Sequence, residues 1–267
     1  MSTQVKVIVI RTAGTNCNEE TAFAFGRLGA HVEQVHINAL ISGSRKLNDF
    51  HILALPGGFS YGDDIASGRI LANELRLKLT EEIKQFISDG KLIIGICNGF
   101  QILAKAGILP GLGWKVGQEA TLFYNDSGKF EARWVHLKVE SRCVWTKGMS
   151  GQIYLPVAHG EGKFIPREKK VLDALIAQGQ IVLRYCAPDG NKPSYPDNPN
   201  GSADNIAGIC DTTGRVFGLM PHPERHFLFE QHPYWTRLTK TSPLGDGAKI
   251  FENGINYVKE TLLRTRE

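Results

Sequence analysis

Apolar residues along this chain keep two different periods, and the change from one to the other marks its elements. KVIVIRT, HVEQVHI, HILALPG and KLIIGIC are short runs rich in β-branched residues and bounded by turn formers, so they are predicted strands. Between them, at about 18 to 29 and 65 to 89, apolar positions recur at helical spacing. The run LIIGI contains no polar residue, the pattern of a strand buried on both faces. Strands alternating with helices in this way predict a largely parallel sheet with helices on both faces.

After Gly107 the texture changes. EATLFYNDSGKFEARWVHLKVES is predicted to be a β-hairpin around NDSG, QIYLPVAHGEG a strand ending on glycines, and IAGICDTTGRVFGLMP a hairpin turned at DTTG. A helix is expected at about 167 to 178 and a strand at IVLRYCA, and DGAKIFENGINYVKETLLRT is expected to form a last helix capped by Asp246. The segment PDGNKPSYPDNPNGSADN is too long and too rich in Pro, Gly and Asn to be a mere connector, which suggests a functional loop. No repeat or low-complexity linker divides the chain. The expected fold is therefore α/β, with antiparallel strands added to a parallel core, in a single domain over residues 1–267.

Composition narrows the function classes. Lys and Arg exceed Asp and Glu by only 31 to 27, scattered along the chain, which does not argue for nucleic acid. The densest basic run, REKK at 167 to 170, suits a solvated first helical turn. The apolar core of MSTQVKVIVIRT is too short for a signal peptide and no stretch has membrane length, so a cytoplasmic protein is expected. Five widely spaced cysteines (Cys17, Cys97, Cys143, Cys186 and Cys210) argue for free thiols rather than a disulfide framework or a C-x-x-C metal knuckle.

One of these thiols stands apart. In GICNGFQ, Cys97 ends a buried strand and NGFQILAKAG opens a helix, so the sulfur should be thrust out of the carboxyl end of the sheet beside unpaired N–H groups and the helix's positive end. Those surroundings favour a thiolate nucleophile, although a buried, inert cysteine would fit the bare residue as well. Cys17, in TAGTNCNEE, also follows a strand and opens a helix and is a secondary candidate. A base is available in MPHPER: Pro223 biases His222 toward extended backbone, where His222 and Glu224, two apart, point the same way. His222 and His226 are four apart, but H-E-x-x-H is absent and no metal site is expected. Oxyanion donors could come from the N–H of Asn98 and from Gly58 in LPGGFSYGDD, a stretch that a simple tight turn would also explain. The phosphate-loop pattern GxxxxGK[ST] occurs nowhere in the chain.

Taken together, GICNGFQ, PGG and PHPE, in that order along the chain, resemble the class I glutamine amidotransferases, with their G-x-C-x-G-x-Q elbow, oxyanion strand and His-x-Glu pair. PVAHGEG and YPDNPNGS extend the resemblance to the branch of that family that serves phosphoribosylformylglycinamidine synthesis in the purine pathway. The resemblance implies a flavodoxin-like sheet, Cys97 as nucleophile, His222 as acid and base, Glu224 as its orienter, and Gly58 and Asn98 as oxyanion donors. It also implies that Gln101 supports the substrate or its loop, and that backbone around His159 and Gly160 contacts L-glutamine. It further implies no cofactor in this chain, with ATP and Mg2+ acting at a large synthetase subunit, and a small bridging subunit as a further partner. The segment after residue 226 is longer than in the shortest stand-alone members and looks more like the glutaminase end of a fused synthase. Other class I amidotransferases and γ-glutamyl hydrolases share the elbow, and a glutamine sensor that has lost catalysis is a third reading; the intact Cys97, His222 and Glu224 set speaks against that last one.

Overall fold

The computed structural model describes residues 4–111, 118–140 and 143–264. Its first half alternates strands and helices: β1 (Lys6–Arg11), α1 (Asn18–Arg27), β2 (His31–His36), α2 (Ile37–Ile41), β3 (Ile52–Leu55), α3 (Arg69–Lys78), α4 (Thr80–Ser88), β4 (Leu92–Ile96) and α5 (Asn98–Lys105). The second half is richer in strands: β5 (Ala120–Phe123), β6 (Glu131–Val139), β7 (Gln152–His159), β8 (Lys163–Pro166), α6 (Lys169–Ala177), β9 (Ile181–Cys186), β10 (Ile206–Cys210), β11 (Val216–Leu219) and α7 (Ala248–Tyr257). Nine strands form one sheet in the order β2-β1-β3-β4-β11-β10-β9-β6-β7. The pairs from β2 to β11 are parallel, and those from β11 to β7 are antiparallel.

Every residue of β3 and β4 is buried, as their unbroken apolar runs require. Their aliphatic side chains form the centre of the core with Phe25, Phe86, Phe100 and Phe251. Crossovers between parallel strands are right-handed, and the chain steps one way from β1 to β2 and the other way from β3 to β4, so α1 and α3 cover opposite faces. α1 then packs with α7, and α3 with α5.

Three local expectations differ from the structure. The NDSG turn forms, with Gly128 N–H donating to the Asn125 carbonyl at 2.9 Å, but the strands on either side part company: β5 pairs with β8 in a separate two-stranded sheet, while β6 joins the main one. The expected helix at 65 to 89 is two helices that meet at Leu79, whose φ of −128° breaks the first. Asp246 does not cap α7; its Oδ2 accepts the Tyr154 N–H at 2.8 Å, and Gly247 occupies the cap position. The last residue of that predicted helix, Thr265, lies outside the described residues. Among the described residues no helix is long and apolar enough to cross a membrane.

Candidate active site

Cys97 is the hinge between β4 and α5, at φ 50° and ψ −104°. That backbone is strained for any residue with a side chain, and it is the conformation that turns a strand into a helix within one residue. The flanking glycines make the turn possible. A Cβ on Gly99 would lie 1.9 Å from the Leu55 carbonyl oxygen, and one on Gly95 would lie 2.6 Å from the Gly99 carbonyl oxygen. Hydrogen bonds hold the strained residue from both sides: its N–H donates to the Leu219 carbonyl at 2.7 Å, and its carbonyl accepts from Phe100 and Gln101 at 3.0 and 3.1 Å. The sulfur is less open than the elbow pattern suggests. Cys97 is 4% exposed, and its Sγ faces the Ala158 carbonyl oxygen at 3.6 Å.

β11 runs parallel to β4, and three residues beyond its end the chain reaches His222. The His222 N–H donates to the Pro156 carbonyl at 2.8 Å, in extended backbone before Pro223. His222 Nδ1 and Glu224 Oε1 are 2.6 Å apart, and both residues are buried. Burial alone would strip the proton from His222. The negative charges of Glu224 and a Cys97 thiolate outweigh it, helped by hydrogen bonding to the sulfurs of Cys17 and Cys97, and push the imidazole well above its ordinary range.

Cys17 thus belongs to this site, although the sequence ranks it second. It caps α1, its N–H donates to the Gly57 carbonyl at 3.2 Å, and its thiol donates to Asn16 Oδ1 at 3.1 Å. Arg225 Nη2 donates to its sulfur at 3.1 Å and Arg225 Nε to Glu20 Oε2 at 3.1 Å. Burial pushes the Cys17 thiol up, more than the hydrogen bond to His222 and its charge draw it down. Gly57 is where the three groups meet: a Cβ there would lie 2.8 Å from His222 Cε1, 3.1 Å from Cys17 Sγ and 3.5 Å from Cys97 Cβ. Gly58 supplies conformation instead, with φ 138°, a value that leaves its backbone free to point where other residues cannot.

The remaining sequence candidates form the walls. Asn98 Oδ1 accepts from the Ser60 hydroxyl at 2.5 Å, and Asn98 Nδ2 donates to Gln101 Oε1 at 2.8 Å. Gln101 Nε2 donates to the Glu161 carbonyl at 2.6 Å, so Gln101 ties the elbow helix to the HGEG loop. His159 is buried with Nδ1 on Asn125 Oδ1 at 3.1 Å; burial, then the charge of His222, lowers its pKa to about 4. The carbonyls of His159 and Gly160 both accept from Asn125, at 2.8 and 2.9 Å, and it is the Ala158 carbonyl that faces the thiol.

Two residues of the YPDNPNGS segment, to which the sequence reading gave no individual role, help to line this wall. Asn200 Nδ2 donates to the buried Tyr185 hydroxyl at 3.1 Å, and Ser202 Oγ accepts the Phe164 N–H at 2.9 Å and lies 3.4 Å from the Gly162 carbonyl oxygen, which moors the 188 to 204 loop against β9, β8 and the end of HGEG. His226 points elsewhere, to the Tyr154 carbonyl at 2.7 Å, so it forms no pair with His222.

A strained cysteine elbow, a buried His–Glu pair and a glycine-built wall between them suit acyl transfer through a thioester. The family model of the CobB/CobQ-like glutamine amidotransferase domain matches residues 4–258. The phosphoribosylformylglycinamidine synthase subunit PurQ of Dehalococcoides mccartyi is 50% identical over 260 residues, covering 96% of this chain and 99% of that protein. The subunit PurQ of Methanococcus maripaludis is 44% identical over 266 residues, covering 94% and 97%. A chain in the solved structure of PurLQS from Thermotoga maritima superposes with a TM-score of 0.72 at 31% identity, covering 96% of this chain and 99% of that one. This chain belongs to the CobB/CobQ-like glutamine amidotransferase family and, within it, to the PurQ subunits of phosphoribosylformylglycinamidine synthase.

Proposed function

We propose that this chain is the glutaminase of a phosphoribosylformylglycinamidine synthase, hydrolysing L-glutamine through a γ-glutamyl thioester on Cys97. The observation that carries this reading is the buried His222–Glu224 pair set beside a strained cysteine elbow. Glu224 fixes the ring through Nδ1, which leaves Nε2 for proton transfer. The Cys97 thiolate attacks the side-chain carbonyl of glutamine, and the developing oxyanion is met by backbone N–H groups of Gly58 and Asn98. Imidazolium His222 gives its proton to the departing amine, and ammonia leaves. Water then attacks the thioester, His222 takes the proton, and glutamate and the thiolate are released.

Ammonia released into water would be protonated and lost, so the reaction is useful only against a synthetase. The expected partner is a large synthetase subunit that activates formylglycinamide ribonucleotide with ATP and Mg2+, joined by a small bridging subunit. The wall made by Gly58, His159 and the 188 to 204 loop is the face that would respond to such docking. Rapid quenching of the chain with glutamine, followed by peptide mass spectrometry, tests the chemistry. A γ-glutamyl adduct on the Cys97 peptide supports it, and an adduct on another cysteine, or none under turnover, overturns it.

A further inference from the structure

The elbow helix α5 is buried over its first seven residues, yet it carries a polar stripe. Asn98, Gln101 and Lys105 stand three and then four residues apart, on one face of the helix. Asn98 Oδ1 accepts from the Ser60 hydroxyl at 2.5 Å, and Gln101 Nε2 donates to the Glu161 carbonyl at 2.6 Å. Lys105 Nζ donates to the Ser67 carbonyl at 2.6 Å and pairs with Glu161 Oε2 at 3.4 Å. The side chains of this ion pair are only 6% and 11% exposed, and the proposed mechanism makes no use of it. Buried charges of this kind are expensive to keep.

What the pair holds is the segment that follows Gly58. Tyr61, Gly62, Asp63 and Gly68 all take left-handed backbone, at φ 56°, 71°, 55° and 72°. For Tyr61 and Asp63 that conformation is unfavourable, and it persists only where surrounding contacts impose it. Asp63 closes the segment on itself, accepting from the Ser67 hydroxyl at 2.8 Å and from the Gly68 N–H at 3.3 Å. Gly68 then abuts α5, where a Cβ would lie 2.7 Å from Ile102 Cγ1. Both ends of the segment lead to Glu161. Its carbonyl is joined to Ser60 through Gln101 and Asn98, and its carboxylate is joined to Ser67 through Lys105 and directly, with the Ser67 N–H 3.5 Å from Oε1.

We propose that Lys105 and Glu161 are positioning residues for glutamine hydrolysis, clamping the 60 to 68 segment to the elbow helix so that the Gly58 N–H stays in register with the Asn98 N–H. The inference rests on the glutaminase reading above. An oxyanion is stabilised by two donors only if both are within hydrogen-bond reach of it at once. Here one donor opens α5 and the other lies two residues before Ser60. Without the clamp the segment can relax from its left-handed turns and carry Gly58 with it, while Cys97, His222 and Glu224 stay where they are. The transition state then loses more than the bound substrate does.

The test is the double variant Lys105→Met/Glu161→Gln of the full chain, which removes both charges and so leaves neither buried alone. Below its thermal transition, kcat for glutamate release should fall by about 10- to 100-fold with KM close to that of the wild type. Iodoacetamide should alkylate Cys97 at the wild-type rate, because displacement at a saturated carbon needs the thiolate but develops no oxyanion. Glu161→Gln alone keeps the side-chain shape and should show the same signature in smaller degree, so it carries the test if the double variant folds poorly. Unchanged kcat in either folded variant, a rise in KM alone, or alkylation that slows in step with kcat would each overturn the proposal. Cys97→Ala, assayed alongside, decides the glutaminase reading separately: undiminished glutamate release there would overturn that reading and this inference with it, whereas unchanged kcat in the clamp variants overturns this inference alone.

Discussion

His222 Nδ1 and Glu224 Oε1 lie 2.6 Å apart with both side chains buried, and the chain between them is a single proline. Pro223 keeps the backbone extended at His222, and the 3-10 turn over Pro223–His226, rather than a continuing extended chain, brings the Glu224 carboxylate beside the imidazole. Glu224→Gln keeps the shape and removes the charge. Glutamine presents either an amide N–H or a weaker acceptor to Nδ1, so ring tautomer and orientation are no longer fixed. Glutamate release should fall by about 100-fold or more while the thermal transition of the fold persists. Turnover near the wild-type rate would show that another group orients the base.

The same pair sets a pH dependence. Burial opposes the charge on His222, and the negative groups around it, Glu224 first, outweigh burial and raise its pKa above the ordinary 6.5. The imidazolium that protonates the leaving ammonia therefore persists above pH 6.5, and the alkaline limb of kcat/KM should lie above that value. Removing the carboxylate removes the largest raising influence, so Glu224→Gln should move this limb to lower pH. A limb that stays in place would assign it to a different group.

His159 carries the opposite shift, and its effect is on stability. Its folded pKa is about 4, against about 6.5 for an exposed histidine. Between those values the unfolded chain binds a proton that the folded chain refuses, so stability falls as pH drops through this window, by about 3 kcal/mol at most. His222 does not mask the loss, because a raised pKa gives its full stabilisation below 6.5. Melting temperatures between pH 4 and 7 should decline less steeply in His159→Gln than in the wild type. Equal slopes would place the acid sensitivity in other groups.

Much of this site is legible in the sequence because its parts are local. GICNGFQ encodes its elbow within a few residues and the structure realises it; in PHPER the structure keeps His222 extended and pairs it with Glu224, but through a 3-10 turn over Pro223–His226 instead of the expected extended chain. What the sequence hides depends on which distant segments become neighbours. The NDSG turn is real, but whether β5 pairs with β6 or β8 is decided by the HGEG loop that brings β8 alongside. Asp246 has the composition of a helix cap, and the Tyr154 N–H across the fold claims it first. Cys17 carries the same strand-to-helix signal as Cys97. Its meeting with His222 follows only once β1 is seen to lie beside β3, because Gly57 at the end of β3 is the contact point.

The proximity of the two thiols sharpens a labelling test. A diazo-ketone analogue of glutamine should alkylate Cys97 alone, since Cys17 is 1% exposed, is kept protonated by burial and is engaged by Asn16 and Arg225. Cys143, Cys186 and Cys210 are free and buried and should also be spared. Peptide mapping that found label on Cys17 would mean that the reagent, and so the substrate carbonyl, approaches from the α1 side of Gly57.

The division of labour between this chain and a synthetase can be tested by deleting one sulfur. If the chain only supplies ammonia, Cys97→Ala in the reconstituted synthase should abolish synthesis from glutamine and leave synthesis from added ammonium salts largely intact. The substitution removes a small buried side chain from a turn whose backbone is held by its own hydrogen bonds to Leu219, Phe100 and Gln101. Its cost to stability should be on the order of 1 kcal/mol, too little to disturb assembly. Size-exclusion chromatography of the complex checks that the partner still binds, so that a loss of activity can be assigned to chemistry. Ammonium at high concentration reaches the synthetase without passing through the Cys97 site, which is why the two activities should part. If both fell together in a folded, assembled complex, this chain would contribute groups to the synthetase site itself. The walls around Gly58 and the 188 to 204 loop would then be the place to look for them.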